Sequence, residues 1–294
     1  MRSALSVKFL ELYQELKNFY LDNFLLVLEE TSFSYSPRQM QEAILYSLEA
    51  GGKRTRPVLA LEAGRVHNLD EKKSLAIAVA IEMVHTYSLI HDDLPAMDDD
   101  DLRRGKPSSH KKFGEDVAIL AGDAMQALAV EICAINKISC EAIAYLAKSM
   151  GIAGMVGGQY LDVMSSTENN ILYLKKMHAM KTGALFQTCT VMPVLESGNI
   201  KNLIEIEKWT LDLGTLFQIA DDILDREGDS KQMGKSVGKD EQLNKLTYVE
   251  VFGLDGAKEK LESMRNQLRE QAIILFPNSI TYQQFPDFVS ARDR

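Results

Sequence analysis

The sequence is poor in cysteine, which excludes a fold held together by disulfides. Its 294 residues include only three cysteines, Cys133, Cys140 and Cys189. An odd number of cysteines without a recurring spacing forms no disulfide framework and is typical of a reducing compartment. We therefore expect a cytoplasmic protein whose cysteines pack as small apolar side chains.

A long apolar segment and a positive net charge are also missing. No uninterrupted apolar run reaches the ~18 residues that a membrane-spanning helix needs, and residues 1–20 lack the apolar centre of a signal peptide. The net charge of −9 disfavours binding to the phosphate backbone of a nucleic acid. The sequence therefore predicts neither a membrane span nor a nucleic-acid partner.

The pattern of apolar residues is helical almost throughout. Leu, Ala, Ile, Met, Glu and Lys are abundant, and the seven prolines separate long stretches of helical rather than alternating periodicity. No linker-like segment divides the chain, so we predict a single all-α domain over residues 1–294. Helices are predicted over residues 4–30, 37–49, 56–66, 71–91, 115–136, 139–164, 169–193, 200–225 and 254–275.

Two clusters of aspartates occur within this helical pattern. They are the segments HDDLPAMD, with Asp92, Asp93 and Asp98, and FQIADDILD, with Asp221, Asp222 and Asp225. Each cluster follows an apolar stretch, where an isolated carboxylate is costly to bury unless a positive charge lies nearby. Divalent cations such as Mg²⁺ prefer carboxylate oxygens, so the two clusters predict metal binding.

Helix geometry leads to different expectations for the two clusters. At about 100° per residue, Asp221 and Asp225 lie on one helix face, one turn apart, where a single cation can contact both. Asp92 and Asp98 are about 120° out of phase on a straight helix, so their convergence requires a break. Pro95 supplies that break, because it lacks a backbone donor and disfavours helical geometry at the preceding residue.

The loop over residues 98–109 admits a simpler interpretation. Charge runs are usually on the surface, so Asp98–Asp101 alone could be a solvated acidic turn. This explanation fits Asp92 and Asp221 less well, because apolar segments precede them. An EF-hand is excluded, since no glycine stands at the sixth position and Arg103 occupies the twelfth.

A basic motif, GGKRTRP, spans residues 51–57. Its glycine pair is flexible, and Pro57 suits the start of a helix. Backbone donors at a helix N-terminus, together with Lys53 and Arg56, form a suitable site for a diphosphate. On its own this motif is a modest signal, because basic turns are common on surfaces.

Together the motifs resemble the trans-isoprenyl diphosphate synthases, and among them the bacterial farnesyl diphosphate synthases. GGKRTRP, DDLPAMD followed by DDDDLRRGKP, MVGGQYLD, KTG and FQIADDILD occur in this order between Tyr46 and Tyr248. The resemblance implies a homodimer in which each chain forms ten or more helices around a deep central cavity. It also implies head-to-tail condensation of isopentenyl diphosphate with dimethylallyl or geranyl diphosphate, giving farnesyl diphosphate and pyrophosphate.

The resemblance implies that Mg²⁺, as three ions, neutralises the diphosphate that leaves when the allylic cation forms. The expected metal ligands are Asp92, Asp98 and Asp221, and the residues that complete or orient the shell are Asp93, Asp222 and Asp225. The allylic diphosphate is expected to contact Arg103, Lys181 and Lys235, with hydrogen bonds from Thr182 and Gln218.

Isopentenyl diphosphate is expected to bind without metal. By resemblance its site comprises Gly52, Lys53, Arg56, His85 and Arg104. His85 is seven residues before Asp92 and so within about 20° of the same helix face. A satisfied core histidine is the alternative interpretation of that residue.

Tyr87 and Ser88 are expected to set the product length. A bulky side chain five residues before Asp92 would close the cavity beneath the first cluster, and Ser88 would leave room beside it. This aromatic residue resembles the enzymes that stop at fifteen carbons, and a geranylgeranyl diphosphate synthase is the alternative.

Three other classes of protein share some of these features. A class I terpene cyclase needs no second diphosphate site, and a di-iron oxidase needs a second Glu-x-x-His motif beside Glu82 and His85. A non-catalytic regulatory subunit of a prenyltransferase would share the fold but usually lacks one aspartate motif. Both aspartate motifs are intact here.

Overall fold

Helices form almost all of the regular structure, and the all-α prediction is confirmed. The computed structural model describes residues 5–165, 170–227 and 246–291. Its helices are α1 (Val7–Glu29), α2 (Arg38–Leu48), α3 (Thr55–Val66), α4 (Glu71–Asp92), α5 (Ser109–Phe113), α6 (Glu115–Ile135), α7 (Cys140–Met150), α8 (Met155–Val163), α9 (Ile171–His178), α10 (Ala184–Ser197), α11 (Leu203–Glu227), α12 (Tyr248–Leu275) and α13 (Ile280–Ser290). A two-stranded antiparallel hairpin joins β1 (Leu102–Arg103) to β2 (Lys106–Pro107), a 3₁₀ turn covers Ser32–Tyr35, and a π-helical turn covers Ala179–Gly183.

Two long predicted helices are in fact divided. The predicted helix 139–164 is split into α7 and α8, because Gly151 and Gly154 are poor helix formers and lie at the division. The predicted helix 169–193 contains the π-helical turn between α9 and α10. Such turns are frequent at functional sites, and this one carries Lys181 and Thr182.

The C-terminal part also differs from the prediction. Helix α12 begins at Tyr248 rather than residue 254, and Gly253 at φ 69° kinks it. Helix α13 was not predicted, because its aromatic-rich sequence with an internal Pro286 has weak helical propensity. Its buried rings explain why it forms, since Tyr282 and Phe285 are both fully buried.

Helix α4 is central to the fold. The Asp70 side chain caps it by accepting a hydrogen bond from the Lys73 amide at 3.0 Å. The helix is apolar on nearly all sides, which is typical of a helix enclosed by others, and it packs against α1, α3, α6 and α10. It ends at Asp92, where the Pro95 break was predicted.

Two helices among the described residues reach the length and mean hydropathy of a membrane span, although charged residues interrupt the apolar run of each. They are Glu71–Asp92, with 78% of its apolar window buried, and Glu115–Ile135, with 44% buried. Core helices pass the same test. Helix α6 packs on α4 but leaves Ile119 and Leu120 exposed at 43% and 55%.

The C-terminal helix is fixed to the N-terminal half by buried polar contacts. Glu62 of α3 is fully buried and accepts hydrogen bonds from Ser279 and Arg65. The Tyr282 hydroxyl donates to the Leu59 carbonyl at 3.0 Å. These contacts join α13 to α3, whose first turn carries part of the basic motif.

Candidate active site

One cavity of about 1040 Å³ brings together most of the predicted site residues. The predicted residues in its wall are Gly52, Lys53, Arg56, His85, Tyr87, Ser88, Asp92, Asp98, Arg103, Arg104, Lys181, Thr182, Gln218, Asp221, Asp222 and Asp225. Asp93 is not in this wall, and Lys235 lies outside the described residues.

The break after α4 brings the first cluster together. The backbone amide of Asp98 donates to the carbonyl of Asp92 at 2.8 Å, so the chain turns back within six residues. Burial raises the pKa of Asp92 to about 6, Lys181 opposes the shift, and Asp98 adds to it. A buried carboxylate with a carboxylate neighbour is stabilised by a cation, and this donor set suits a divalent ion with oxygen ligands.

Asp93 lies outside the cavity wall and contacts Arg103. The residue is 2% exposed, and its carboxylate accepts hydrogen bonds from Arg103, with Nε at 2.9 Å from Oδ1. Asp100 lies 3.3 Å from the same guanidinium. This carboxylate therefore holds Arg103 in place, and its expected part in the metal shell stays a prediction.

The second cluster lies on α11 and is held by a chain of hydrogen bonds. The Thr182 hydroxyl donates to Gln218 Oε1 at 3.1 Å, and Gln218 Nε2 donates to Asp222 Oδ1 at 3.0 Å. The other oxygen of Asp222 accepts from the Tyr248 amide at 2.8 Å. Asp222 is thereby oriented, while Asp221 and Asp225 lie on the same helix one turn apart and also line the cavity.

Lys181 lies between the clusters and is held by Asp162. Its Nζ is 2.6 Å from Asp162 Oδ2. Burial lowers the pKa of Lys181, but Asp162 and Asp92 more than offset this, so the pKa lies above its ordinary value. Gly158 of α8 allows this arrangement, because a Cβ there would collide with the backbone of Lys181.

The basic motif forms the opposite part of the wall. Arg104 Nη1 donates to the Gly51 carbonyl at 2.6 Å. Gly52 has φ +109°, and a Cβ on it would lie 2.9 Å from Arg104 Cζ, so glycine is required there. The Tyr13 hydroxyl fixes the loop by donating to the Lys53 carbonyl at 2.6 Å.

His85 faces this basic group rather than the apolar core. Arg56 Nη1 is 3.3 Å from His85 Nε2. Burial holds the pKa of His85 well below its ordinary value, and Arg56 lowers it further. Since arginine can only donate, the neutral ring accepts this hydrogen bond.

Tyr87 lines the cavity five residues before Asp92. Its side chain is 3% exposed, and its ring meets His91 edge-on with centroids 5.8 Å apart. The hydroxyl lies 3.4 Å from the Met150 carbonyl. Ser88 also lines the cavity and donates to the His85 carbonyl at 2.8 Å.

Sequence reasoning missed several polar residues of the wall. Asp162 lies within the recognised motif MVGGQYLD, but only its contact with Lys181 reveals its role. Gln159 lines the cavity, and neither polar atom of its buried amide has a hydrogen-bond partner among the residues that the structure describes. Glu82 and His178 also line the cavity. No local pattern marks these side chains, because their partners are distant in sequence.

The simpler interpretation of the run Asp98–Asp101 as a solvated turn holds for only two of its residues, because Asp98 lines the cavity and Asp100 is buried beside Arg103. Asp99 and Asp101 are exposed, and Asp101 pairs with Lys111 at 2.8 Å. Ligand atoms of Asp99, Asp101 and His110 lie within 4.8 Å of one another. Exposed acidic groups commonly lie this close without a metal.

A helical bundle with two acidic clusters around one cavity has the architecture of the isoprenoid synthases, and the comparisons identify the family. The model of the polyprenyl synthetase family matches residues 37–273. The chain therefore belongs to the polyprenyl synthetase family.

Curated relatives and solved structures are named for different products. Geranylgeranyl pyrophosphate synthase 11, chloroplastic, of Arabidopsis thaliana is 43% identical over 250 residues, 81% of this chain and 70% of the relative. The chloroplastic geranylgeranyl pyrophosphate synthase of Catharanthus roseus is 42% identical over 253 residues, covering 83% and 71%. A structure of an FPP/GFPP synthase from Zymomonas mobilis has a TM-score of 0.83 at 32% identity and covers 96% of this chain and 100% of its own.

A further solved structure was determined with ligands. It is a geranyltransferase from Helicobacter pylori, described as complexed with magnesium and isoprenyl diphosphate, with a TM-score of 0.79, 29% identity and 98% coverage of both chains. The family-level resemblance is thus confirmed. The narrower resemblance to bacterial farnesyl diphosphate synthases is not, because the curated relatives are named geranylgeranyl synthases.

Proposed function

We propose that the protein condenses isopentenyl diphosphate head-to-tail with an allylic diphosphate. The observation that carries this proposal is the arrangement of one cavity, in which two acidic clusters and a separate basic motif line the same wall. One diphosphate needs a cation to bridge it to carboxylates, whereas the other can bind directly to Lys53, Arg56 and Arg104. The cavity therefore has distinct places for two diphosphates.

The reaction breaks the allylic carbon–oxygen bond, and its electron pair leaves with the diphosphate. The double bond of isopentenyl diphosphate then supplies the pair for the new carbon–carbon bond, and the resulting cation loses a proton to the released pyrophosphate. Lys181 and Arg103 are placed to bind the leaving diphosphate. Gln218, whose carbonyl oxygen accepts a hydrogen bond from Thr182, also lines the cavity.

Mg²⁺ fits the carboxylates of both clusters and, when bound, would neutralise charge on the leaving diphosphate. The ligands proposed for it are Asp92, Asp98, Asp221 and Asp225, with Asp222 orienting the second cluster. The magnesium in the Helicobacter pylori structure supports this choice of metal. Three ions remain the predicted number.

Two product lengths have support. The names of the curated relatives favour twenty carbons, whereas the buried ring of Tyr87 beside the first cluster favours fifteen. A bulky side chain that closes the cavity close to the cluster, here called its floor, limits how far a growing chain can extend. On this steric ground we propose farnesyl diphosphate as the product, with geranylgeranyl diphosphate as the second candidate.

Product analysis tests the proposal. Purified protein is incubated with Mg²⁺, labelled isopentenyl diphosphate and, in turn, dimethylallyl, geranyl and farnesyl diphosphate, and the products are separated by chromatography. A fifteen-carbon product supports the Tyr87 floor, and a twenty-carbon product supports the alternative. A folded protein that condenses no starter would instead be a non-catalytic subunit.

Matched variants separate the metal site from general damage. We expect Asp92→Asn and Asp221→Asn to lower turnover by about 10² or more, because each removes a charge from a cation site. Asp212→Asn is the control, since Asp212 lies on the same helix as Asp221 but pairs with Lys208 outside the cavity wall. Near-normal turnover in both site variants would refute the metal assignment.

We also propose that the protein is a homodimer, as the sequence resemblance implies. The exposed apolar side chains Ile119, Leu120 and Ile135 on α6 support an interface there. Light scattering at several concentrations tests the oligomeric state. A monomeric mass throughout would refute the proposal.

A further inference from the structure

Arg54 and Glu82 form a buried ion pair in the wall of the cavity. Arg54 Nη1 lies 2.8 Å from Glu82 Oε1, and the two side chains are only 3% and 2% exposed. Arg54 is the middle cation of the motif GGKRTRP, between Lys53 and Arg56. Its place in the motif suggests a phosphate ligand, but its contacts indicate another role.

The backbone of Arg54 is in a conformation that few residues adopt. It precedes α3 with φ 56° and ψ 37°, in the left-handed region. This region is unfavourable for a residue with a Cβ unless other contacts hold it. The side chain supplies such contacts, because Nη2 donates to the Leu48 carbonyl at the end of α2 while Nη1 binds Glu82 on α4.

This side chain therefore joins three helices where the diphosphate site is built. The loop that it fixes runs from Gly51 to Arg56, and Arg104 bonds to the first of these residues. His85 lies one turn after Glu82 on α4 and bonds to Arg56. The Arg54–Glu82 pair thus sets the position of Lys53 and Arg56 relative to His85.

The charges around the loop also indicate that Arg54 positions the site while its neighbours face the diphosphate. Glu82 neutralises Arg54 directly. Burial lowers the pKa of Arg104, and Glu82 partly opposes that shift. Both Nη atoms of Arg54 already bind protein groups, and its side chain is only 3% exposed, so a phosphate in the cavity has little access to it. Lys53, Arg56 and Arg104 also line the cavity and are the cations proposed to bind the diphosphate.

We propose that Arg54 and Glu82 are positioning residues that hold the site for isopentenyl diphosphate, and that Arg54 is not itself a ligand of the diphosphate. This inference rests on the proposed function. It assigns a role to Glu82, a carboxylate that belongs to neither metal cluster.

Binding of isopentenyl diphosphate alone, measured by titration calorimetry, distinguishes the two roles of Arg54. Glu82→Gln removes the charge that holds Arg54. If Arg54 is a positioning residue, the loop shifts and the dissociation constant should rise about tenfold, because small displacements of binding groups are costly. If Arg54 were a direct ligand, releasing it from Glu82 would leave the affinity unchanged or tighten it, and this outcome would overturn the proposal.

Steady-state kinetics supply a second readout. For Glu82→Gln we expect the KM for isopentenyl diphosphate to rise about tenfold, with kcat and the KM for the allylic substrate changed by less than about twofold. Equal effects on both substrates would indicate general damage and contradict the proposal. Arg54→Lys keeps the charge but cannot hold Leu48 and Glu82 together, so it should show the same selective loss.

A double variant tests whether the two residues act as a unit. Arg54→Met combined with Glu82→Met replaces the buried pair by apolar side chains, which proteins often tolerate without loss of stability. If the two residues act as a unit, the double variant should weaken isopentenyl diphosphate binding no more than Arg54→Met or Glu82→Met alone, whichever single variant binds more weakly. Additive losses would mean that the residues act independently and would overturn the proposal, as would wild-type affinity in the double variant. This variant also decides the question if Glu82→Gln does not fold.

The exposed pair Arg38–Glu42 on α2 provides the control. Its side chains are 91% and 55% exposed, so Glu42→Gln should change neither affinity nor melting temperature. A wild-type protein that fails to bind isopentenyl diphosphate would refute the proposed function, and the positioning role with it. Wild-type binding that is unchanged in Glu82→Gln refutes only the positioning role.

Discussion

Lys181 and Asp162 are 19 residues apart in the chain, yet the Lys181 ammonium lies 2.6 Å from the Asp162 carboxylate inside the cavity. The π-helical turn supplies Lys181, and α8 supplies Asp162. Asp92 also contributes to the raised pKa of Lys181. The cation that we propose for the allylic diphosphate is therefore held by a carboxylate that belongs to neither aspartate cluster.

Asp162→Asn should weaken use of the allylic substrate. Without the Asp162 charge, Lys181 is drawn toward Asp92, where it competes with a bound cation. Losses of about 10- to 100-fold in kcat/KM for the allylic diphosphate are expected, as for other residues that orient a binding group. Asp212→Asn, which disrupts the exposed pair with Lys208, is the control. Unchanged kcat/KM in Asp162→Asn would mean that Lys181 needs no such support.

Asp92→Asn should stabilise the metal-free protein at neutral pH. The pKa of Asp92 is raised from 3.8 to about 6 in the folded state, mainly by burial. Between about pH 4 and pH 6 the folded protein keeps a proton that the unfolded chain has released, so the free energy of unfolding falls as pH rises through this window. Above it the charged carboxylate destabilises the fold. Because the side chain is partly exposed to the cavity, we expect a gain of only about 1 kcal/mol from the substitution.

Urea denaturation in EDTA, at several pH values, measures this difference. The gain from Asp92→Asn should be small at about pH 4 and reach its full value above about pH 6.5. A gain that decreases as pH rises would contradict the assignment. The same variant should lose condensation activity, because the carboxylate that destabilises the metal-free fold is also one that we propose to bind the cation.

Local chemistry determined which parts of the site could be predicted. The convergence of Asp92 and Asp98 followed from Pro95 and helix geometry, and the bond from the Asp98 amide to the Asp92 carbonyl confirms it. The helical pattern likewise predicted α4 and the second cluster. These features depend on residues within two or three helical turns.

Features that depend on distant contacts could not be predicted. The π-helical turn that divides residues 169–193 packs closely against Gly158 of α8, a contact that the local sequence does not show. The ion pair between Asp93 and Arg103 is a further example, because the two residues are ten apart and the sequence does not show that they meet. Helix α13 depends on burial against α1, α11 and α12, which its own sequence does not reveal.

Glu62→Ala should destabilise the fold without altering the chemistry. Glu62 is fully buried and accepts hydrogen bonds from Arg65 and Ser279, so its loss leaves the Ser279 hydroxyl buried without that partner. Since half of the Arg65 side chain is exposed, water can solvate that charge. We expect the free energy of unfolding to fall by about 2 kcal/mol. Urea denaturation measures the loss, and Glu42→Gln serves as the exposed control. A kcat well below the wild-type value in the fully folded variant would contradict a purely structural role.

Tyr87→Ala should lengthen the product. The Tyr87 ring is buried beside the first cluster and packs edge-on against His91, so its removal opens space in the direction in which the chain grows. We expect the main product to gain at least one five-carbon unit, because the lost ring volume is comparable to that of an isoprene unit. Chromatography of the products from geranyl and farnesyl diphosphate measures the change, with circular dichroism to confirm folding, since such a truncation costs about 3 kcal/mol. Tyr87→Phe is the matched control: it keeps the ring and loses only the long contact with the Met150 carbonyl, so its product should equal that of the wild type. If Tyr87→Ala and Tyr87→Phe give the same product as the wild type, the floor of the cavity lies elsewhere and the preference for fifteen carbons loses its basis.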